Sequence, residues 1–392
     1  MSTRVKILAS ATTSNVQVRR AAALWGLIAA KLLGGWGLQW DIRWHLLIGR
    51  DAFWIAPHVM TYTGVAVGAL LTFGILALDT ARAWRGEALP DGVRVLGLTG
   101  TRGFHLAWWG MAVTIVAAPI DDLWHRLFGI NVTLWSPPHL LGLAGAQINT
   151  LGCLAIALEL WPVSRPVART ALLATGTFLL GAFYISLDPS IQTAFRRGGV
   201  FFFTWAILGA PVFAFTFATT ARLAALRATP LILVLSALAL HYGGLVVADV
   251  GFALIQPTPA IEEAIAADPD SAIALAWEMA RRNDAPSPGL SPLLRWLPVL
   301  PGLLVALLDA RRLWTGAVLG VALVVVSGVV LGPMPALAQA QPSFADVVIA
   351  LLLATLGGFA GAAAGLIVAD QLRPTGRPAP AQQRRRRSSV AG

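Results

Sequence analysis

Ten stretches of this sequence run for about twenty residues with almost no charge, the length that carries a helix across a bilayer. They lie near 21–40, 58–79, 104–122, 139–160, 170–187, 199–220, 229–256, 293–309, 313–332 and 346–369. Charged residues are 12% of the chain and hydrophobic residues 57%. The charged share is about half that of a soluble protein, too little to cover the surface of a soluble fold. The expected class is therefore all-α: a polytopic integral membrane protein with about ten transmembrane helices. A disulfide scaffold is excluded, because Cys153 is the only cysteine.

The net charge of +10 does not point to nucleic acid. The basic residues sit at the ends of the apolar runs and in the C-terminal tail, where they act as topology signals and contact anionic lipid. Arg4, Lys6, Arg19 and Arg20 precede the first run, and Arg82, Arg85, Arg94 and Arg102 follow the second. Arg165 and Arg169, Arg222 and Arg227, Arg311 and Arg312, and finally Arg384 to Arg387 continue on the same side. By the positive-inside rule that side is cytoplasmic and holds both termini. Arg196 and Arg197 are the main exception. Only Lys6 and Lys31 among the 29 basic residues are lysine. With the high alanine content, this suggests a bacterial protein of the cytoplasmic (inner) membrane. Lys31 interrupts the first run, which we take as an anchor rather than a signal peptide. The expected organisation is a tail over 1–20, a four-helix region over 21–160, six further helices over 161–370, and a disordered basic tail over 371–392.

A duplication lies in the first four runs. Trp40 to His58 reads WDIRWHLLIGRDAFWIAPH, and Ile120 to His139 reads IDDLWHRLFGINVTLWSPPH. Asp41 aligns with Asp121, His45 with His125, Gly49 with Gly129, and Pro57-His58 with Pro138-His139. Each copy starts where one run ends and finishes where the next begins. The copies are two runs apart, so they share an orientation as a parallel internal repeat on the periplasmic face. Residues four apart share a helical face, so Asp41 and His45 converge, and the next helix brings His58. Asp121, His125 and His139 repeat the set. Two imidazoles and a carboxylate suit copper, zinc or iron(II). Ionisable groups near membrane depth are costly and usually functional. The bland alternative is a duplicated packing motif in which each Asp bonds its own His.

The first copy resembles the C subunit of the copper membrane monooxygenases, the particulate methane and ammonia monooxygenases. The resemblance rests on Asp-x3-His-x12-His at Asp41, His45 and His58, set among Trp44, Ile48, Arg50 and Asp51, and covers roughly residues 20–160. That family has a second site of the form Asn-x3-His-x13-His, matched by Asp121, His125 and His139, with Asp121 in place of Asn. The resemblance implies copper as cofactor and oxygen-dependent hydroxylation of a small apolar substrate. It also implies additional subunits and a trimeric assembly. The six later runs have no counterpart in it.

Arg50 and Asp51 are expected either to orient the ligand histidines or to form an interfacial ion pair. Asp122 is a spare carboxylate beside the second set. Lys31 is expected to snorkel or to pair with a carboxylate such as Glu159. His241 and Asp249 lie eight residues apart in the seventh run, roughly 80° apart around the helix. They could serve a polar cavity or proton path. His105 is expected at the interface, and Trp40, Trp44, Trp54, Trp124 and Trp135 in an aromatic belt. Trp108 and Trp109 could line a substrate pocket. Two other functions stay open: a copper or zinc transporter or delivery protein, and a non-catalytic assembly subunit.

Overall fold

The computed structural model describes residues 3–49, 52–87, 89, 91–128, 135–187, 194, 197–282, 284–288 and 293–373. Of residues 3–14, 125, 186, 272, 293, 294 and 336 it describes the backbone alone. Among the described residues, eight helices are long and apolar enough to cross a membrane. They are α1 (Thr3–Leu47), α2 (Ala56–Trp84), α3 (Arg102–Phe128), α4 (Pro137–Leu160), α5 (Pro166–Leu187), α6 (Thr204–Ala224), α7 (Thr229–Ile255) and α13 (Phe344–Leu372). A helix satisfies its own backbone hydrogen bonds, which lipid cannot do. This is a helical membrane protein. Its two strands, β1 (Val93–Val95) and β2 (Leu98–Gly100), form one short antiparallel hairpin between α2 and α3.

Proline marks where several of these helices begin. Pro57, Pro138 and Pro230 stand in the first turns of α2, α4 and α7. The N–H that proline lacks would be unpaired there in any case. Helix α13 starts with a reciprocal cap between Ser343 and Asp346.

The bundle has a basic end and a motif end. At the basic end Arg20 pairs with Asp79 at 2.6 Å and Arg222 with Asp370 at 3.1 Å. Arg311 and Arg227 approach Asp309 at 2.6 and 3.7 Å. The hydrogen-bonded Arg311 guanidinium holds the Asp309 carboxyl below the usual carboxylate range. The motif end gathers the C-termini of α1, α3 and α7 with the N-termini of α2 and α4. Two short helices, α8 (Ile261–Ala267) and α9 (Ala272–Arg282), cover part of it. The Ala260 N–H donates to the Ile48 carbonyl at 2.7 Å, and the Trp277 indole donates to the Leu46 carbonyl at 2.7 Å.

Several expectations are corrected. The tail over 1–20 is helical from Thr3 and continuous with α1. The C-terminal tail begins later than 371, because α13 reaches Leu372; residues 374–392 lie outside the described ones. The run 293–309 is not one helix. It breaks between α10 (Leu293–Trp296) and α11 (Val299–Leu308), where Pro298 has no N–H to donate. Arg295 bonds His241, Gly302 meets Val234, and Asp309 meets Arg227. The segment therefore runs antiparallel to the basic half of α7, and its ten-residue α11 is about 15 Å long, half a bilayer core. The run 313–332 forms α12 (Thr315–Leu331), shorter than the eight long helices. Trp40 and Trp44 are buried against Phe252 of α7, not set in an aromatic belt. His105 is also buried, within reach of the Val93 carbonyl at 3.1 Å.

Candidate metal centre

Close helix approach brings the first motif together. On α2, Gly64 faces the backbone of Ala30 and Gly34 on α1 so closely that a Cβ would stand 2.7 Å from Ala30 O and Gly34 N. That contact sets α2 against the last turns of α1, which carry Asp41 and His45. His58 is the third residue of α2, directly after the buried Pro57.

The three side chains meet. Asp41 Oδ1 is 3.1 Å from His58 Nε2 and 3.6 Å from His45 Nε2. One ligand atom from each lies within 4.8 Å of the others. Atoms bound about 2.1 Å from one ion stand roughly 3.0–3.4 Å apart, so the Asp41–His58 gap already matches such a pair, and His45 would have to draw in to join it. The side chains are 14–19% exposed.

The hydrogen-bond chemistry points the same way. His58 Nδ1 lies 3.1 Å from the Ala52 carbonyl, which can only accept. Nδ1 therefore carries the proton, and in a neutral ring Nε2 is a lone pair. That lone pair faces the lone pairs of Asp41 Oδ1, a buried oxygen with no aligned donor. Two acceptors at this distance need a cation between them, either a proton or a metal. A backbone carbonyl behind the ligand histidine is the usual orienting partner in metal sites. The residues thus fit a metal with nitrogen and oxygen donors. Arg50 and Asp51, expected either to orient the histidines or to form an interfacial ion pair, lie outside the described residues.

The second motif is formed in part. Asp121 Oδ1 lies 3.4 Å from His139 Nε2. His139 is the third residue of α4, again directly after proline. Both side chains are about 30% exposed, twice as open as Asp41. The His125 backbone lies one turn beyond Asp121 on α3, and its side chain lies outside the described ones. Asp122 pairs with Arg126 at 2.7 Å, consistent with a spare carboxylate.

Both motifs border one chamber of about 810 Å3, in which Asp41, His58, Asp121 and His139 all take part. Its walls are mainly apolar and come from α1 to α5 and α7. Trp36 lines it, whereas Trp108 and Trp109 do not. A polar cluster lies on its wall, and sequence reasoning singled out His241 and Asp249 but not the partners that hold them. His241 Nδ1 receives the Gln39 amide and the Arg295 guanidinium, the latter at 3.0 Å. Arg43, two residues past Asp41, pairs with Asp249 at 2.5 Å and ties α1 to α7. These partners are more than 200 residues apart along the chain, except for Arg295 and His241, and no local pattern reveals them.

No protein-family model, curated protein or solved structure matches the chain.

Proposed function

We propose that this chain is a membrane metalloprotein, with Asp41, His45 and His58 as its principal metal ligands and copper as the metal. On this reading it carries out oxygen-dependent hydroxylation of a small apolar substrate, alone or as one subunit of a complex. The observation that supports it is the set of converging ligand atoms, with a buried Asp41 oxygen lacking an aligned donor, at the mouth of an apolar chamber. Ligand chemistry alone admits iron or zinc as well. The sequence resemblance ranks copper first.

A bound copper ion would supply the one-electron redox chemistry that oxygen activation requires. The chain's own groups do the rest. The Ala52 carbonyl fixes the tautomer and plane of His58. Asp41 contributes the negative charge that holds a cation. The apolar walls admit a hydrocarbon and exclude bulk water. Asp121 and His139, with His125, form a second and more open site. Asp121 in place of Asn strengthens binding of a divalent ion there.

The topology belongs to the same proposal. Helices α10–α11 and α12 make a ninth and tenth passage, so both termini stay on the basic, cytoplasmic side of a bacterial inner membrane. The two motifs form a parallel repeat on the opposite, periplasmic face. A metal transporter is the weaker reading, because an inward path from the motifs meets the Lys31 ammonium on the chamber wall, which repels cations.

The test is metal content per chain by mass spectrometry on protein purified from native membranes. Wild type is compared with His45→Ala and His58→Ala, with electron paramagnetic resonance on the same samples. Copper lost in both variants supports the reading. Metal content unchanged in them, or no metal after copper reconstitution, overturns it.

A further inference from the structure

The chamber extends well beyond the metal ligands. Helix α1 lines it from Leu27 to Asp41, and Lys31 stands toward the far end of that stretch. Lys31 is also the midpoint of the 33-residue span Asn15–Leu47. Its ammonium donates to Thr150 Oγ1 at 2.8 Å and approaches the Ala146 carbonyl at 3.4 Å. The Thr150 hydroxyl hydrogen is itself committed to Ala146 O at 2.7 Å, so Thr150 accepts from Lys31. An ammonium has three N–H donors, and the described residues engage two.

No carboxylate pairs with Lys31 among the described residues. Glu159, one of the partners the sequence suggests, is occupied elsewhere. It accepts from the Thr101 hydroxyl at 2.6 Å and the Gly103 N–H at 2.8 Å. A cation at mid-membrane without a counter-ion is costly, and such residues mark ligand sites. Nearby wall residues such as Leu27, Met111, Leu143 and Phe178 are apolar. The chamber thus offers a cationic anchor at Lys31, mainly apolar walls, and a metal-ligand cluster at its other end; its other lining cation, Arg295, is engaged by His241.

We propose that the chamber binds a single-chain amphiphile, with a carboxylate on Lys31 and a hydrocarbon body running along α1 toward Asp41 and His58. This replaces the wholly apolar substrate of the proposed hydroxylation with an amphiphile whose apolar end meets the metal ligands, and it rests on that reading for its chemistry, though not for its binding. Ten residues of helix separate Lys31 from Asp41, about 15 Å of rise. An extended chain of roughly ten to twelve carbons in staggered torsions spans that distance. Its far end then lies at the metal ligands.

The experiment uses the full chain in lipid nanodiscs, with radiolabelled decanoate and decanol as probes and empty nanodiscs as the blank. Metal content is measured on the same samples, and binding is repeated after chelation. Wild type should bind decanoate saturably, near one per chain, before and after chelation. Lys31→Met should weaken decanoate about tenfold or more, the loss of a hydrogen bond to a charged group. It should leave decanol within about threefold. Equal decanoate affinity in wild type and Lys31→Met, or no saturable decanoate binding, overturns the proposal. If Lys31→Met does not fold, the decanoate-to-decanol affinity ratio of wild type decides, and a ratio near one is the overturning result. Decanoate bound by a chain that holds no metal would overturn the metalloprotein reading and keep this site. Metal without decanoate would do the reverse.

Discussion

Gly64→Ala tests whether helix packing positions the proposed metal ligands. An added Cβ would stand 2.7 Å from Ala30 O and Gly34 N and 2.8 Å from Gly34 Cα, whereas ordinary contact starts at 3.4 Å. All three opposing atoms are backbone, so no side chain can rotate away. Helix α2 must move from α1 by about 0.7 Å. His58 lies six residues before Gly64 on the same helix, about 9 Å along it. A rigid displacement of that size would open the 3.1 Å gap between His58 and Asp41 by several tenths of an ångström. Metal–ligand distances tolerate about 0.2 Å. Overpacking of this kind also costs about 1–3 kcal/mol. Gly74→Ala on the same helix is the control, because nothing lies within 4 Å of its Cβ position. There the helix propensity of alanine favours folding by up to about 1 kcal/mol. Thermal unfolding in detergent and metal per chain are measured on both variants. Gly64→Ala should lower both, and Gly74→Ala neither. Wild-type stability in Gly64→Ala would refute the packing argument. Lost stability with full metal content would refute the coupling of packing to site.

Three further outcomes are expected. Asp121→Ala should remove metal from the second site and leave the first loaded, since the motifs lie on separate helix pairs; joint loss in the stoichiometry would show a single shared site. Asp309 has a carboxyl held below the ordinary Asp value of about 3.9 by Arg311, so its contribution is present above that value and is lost as pH falls through the lower folded value. Asp309→Asn should therefore lower stability at neutral pH and flatten the loss on acidification, read from unfolding midpoints between about pH 3 and 7. In a double-mutant cycle, Arg43→Ala and Asp249→Ala should show a coupling of about 0.5–1 kcal/mol, and strict additivity would mean that the pair does not tie α1 to α7.

The spans were legible because each is a continuous apolar run, and a helix in lipid needs nothing else from the chain. The convergence of Asp41, His45 and His58 was legible because Asp41 and His45 share a face by period alone, and Pro57 marks where the next helix can begin. What was not legible depends on partners far away in sequence. A charge inside an apolar run announces that it needs a partner and does not say which. The sequence offers Lys31 either snorkelling or a carboxylate such as Glu159, yet the connection between α2 and α3 brings Thr101 and the Gly103 N–H onto that carboxylate. Lys31 meets Thr150 instead. Trp40 and Trp44 have the composition of an aromatic belt, and packing against Ala248, Gly251 and Phe252 of α7 helps bury them. The half-length α11 was hidden because hydropathy averages over Pro298, where the backbone breaks.

The two motifs share their chemistry but not their surroundings, and that difference separates their roles on the proposed reading. At the end of α1, the segment after α7 folds over the backbone. Ala260 bonds Ile48, Trp277 bonds Leu46, and a Cβ on Gly49 would strike Ile261 at 2.9 Å. This cover lies beside Asp41, His45 and His58, whose side chains stay below 20% exposed. Asp121 and His139 are about 30% exposed. Exposure decides what a redox site can do. Water near a reactive metal drains oxidising power into side reactions and weakens the electrostatic hold of the ligands. The covered site is suited to chemistry on a hydrocarbon, and the open one to ion exchange or electron delivery. Shortening the 257–292 segment should therefore bring the first site toward the second. Metal at Asp41, His45 and His58 should become exchangeable with a chelator at the rate of the open site. An unchanged exchange rate would mean that the cover does not set the difference.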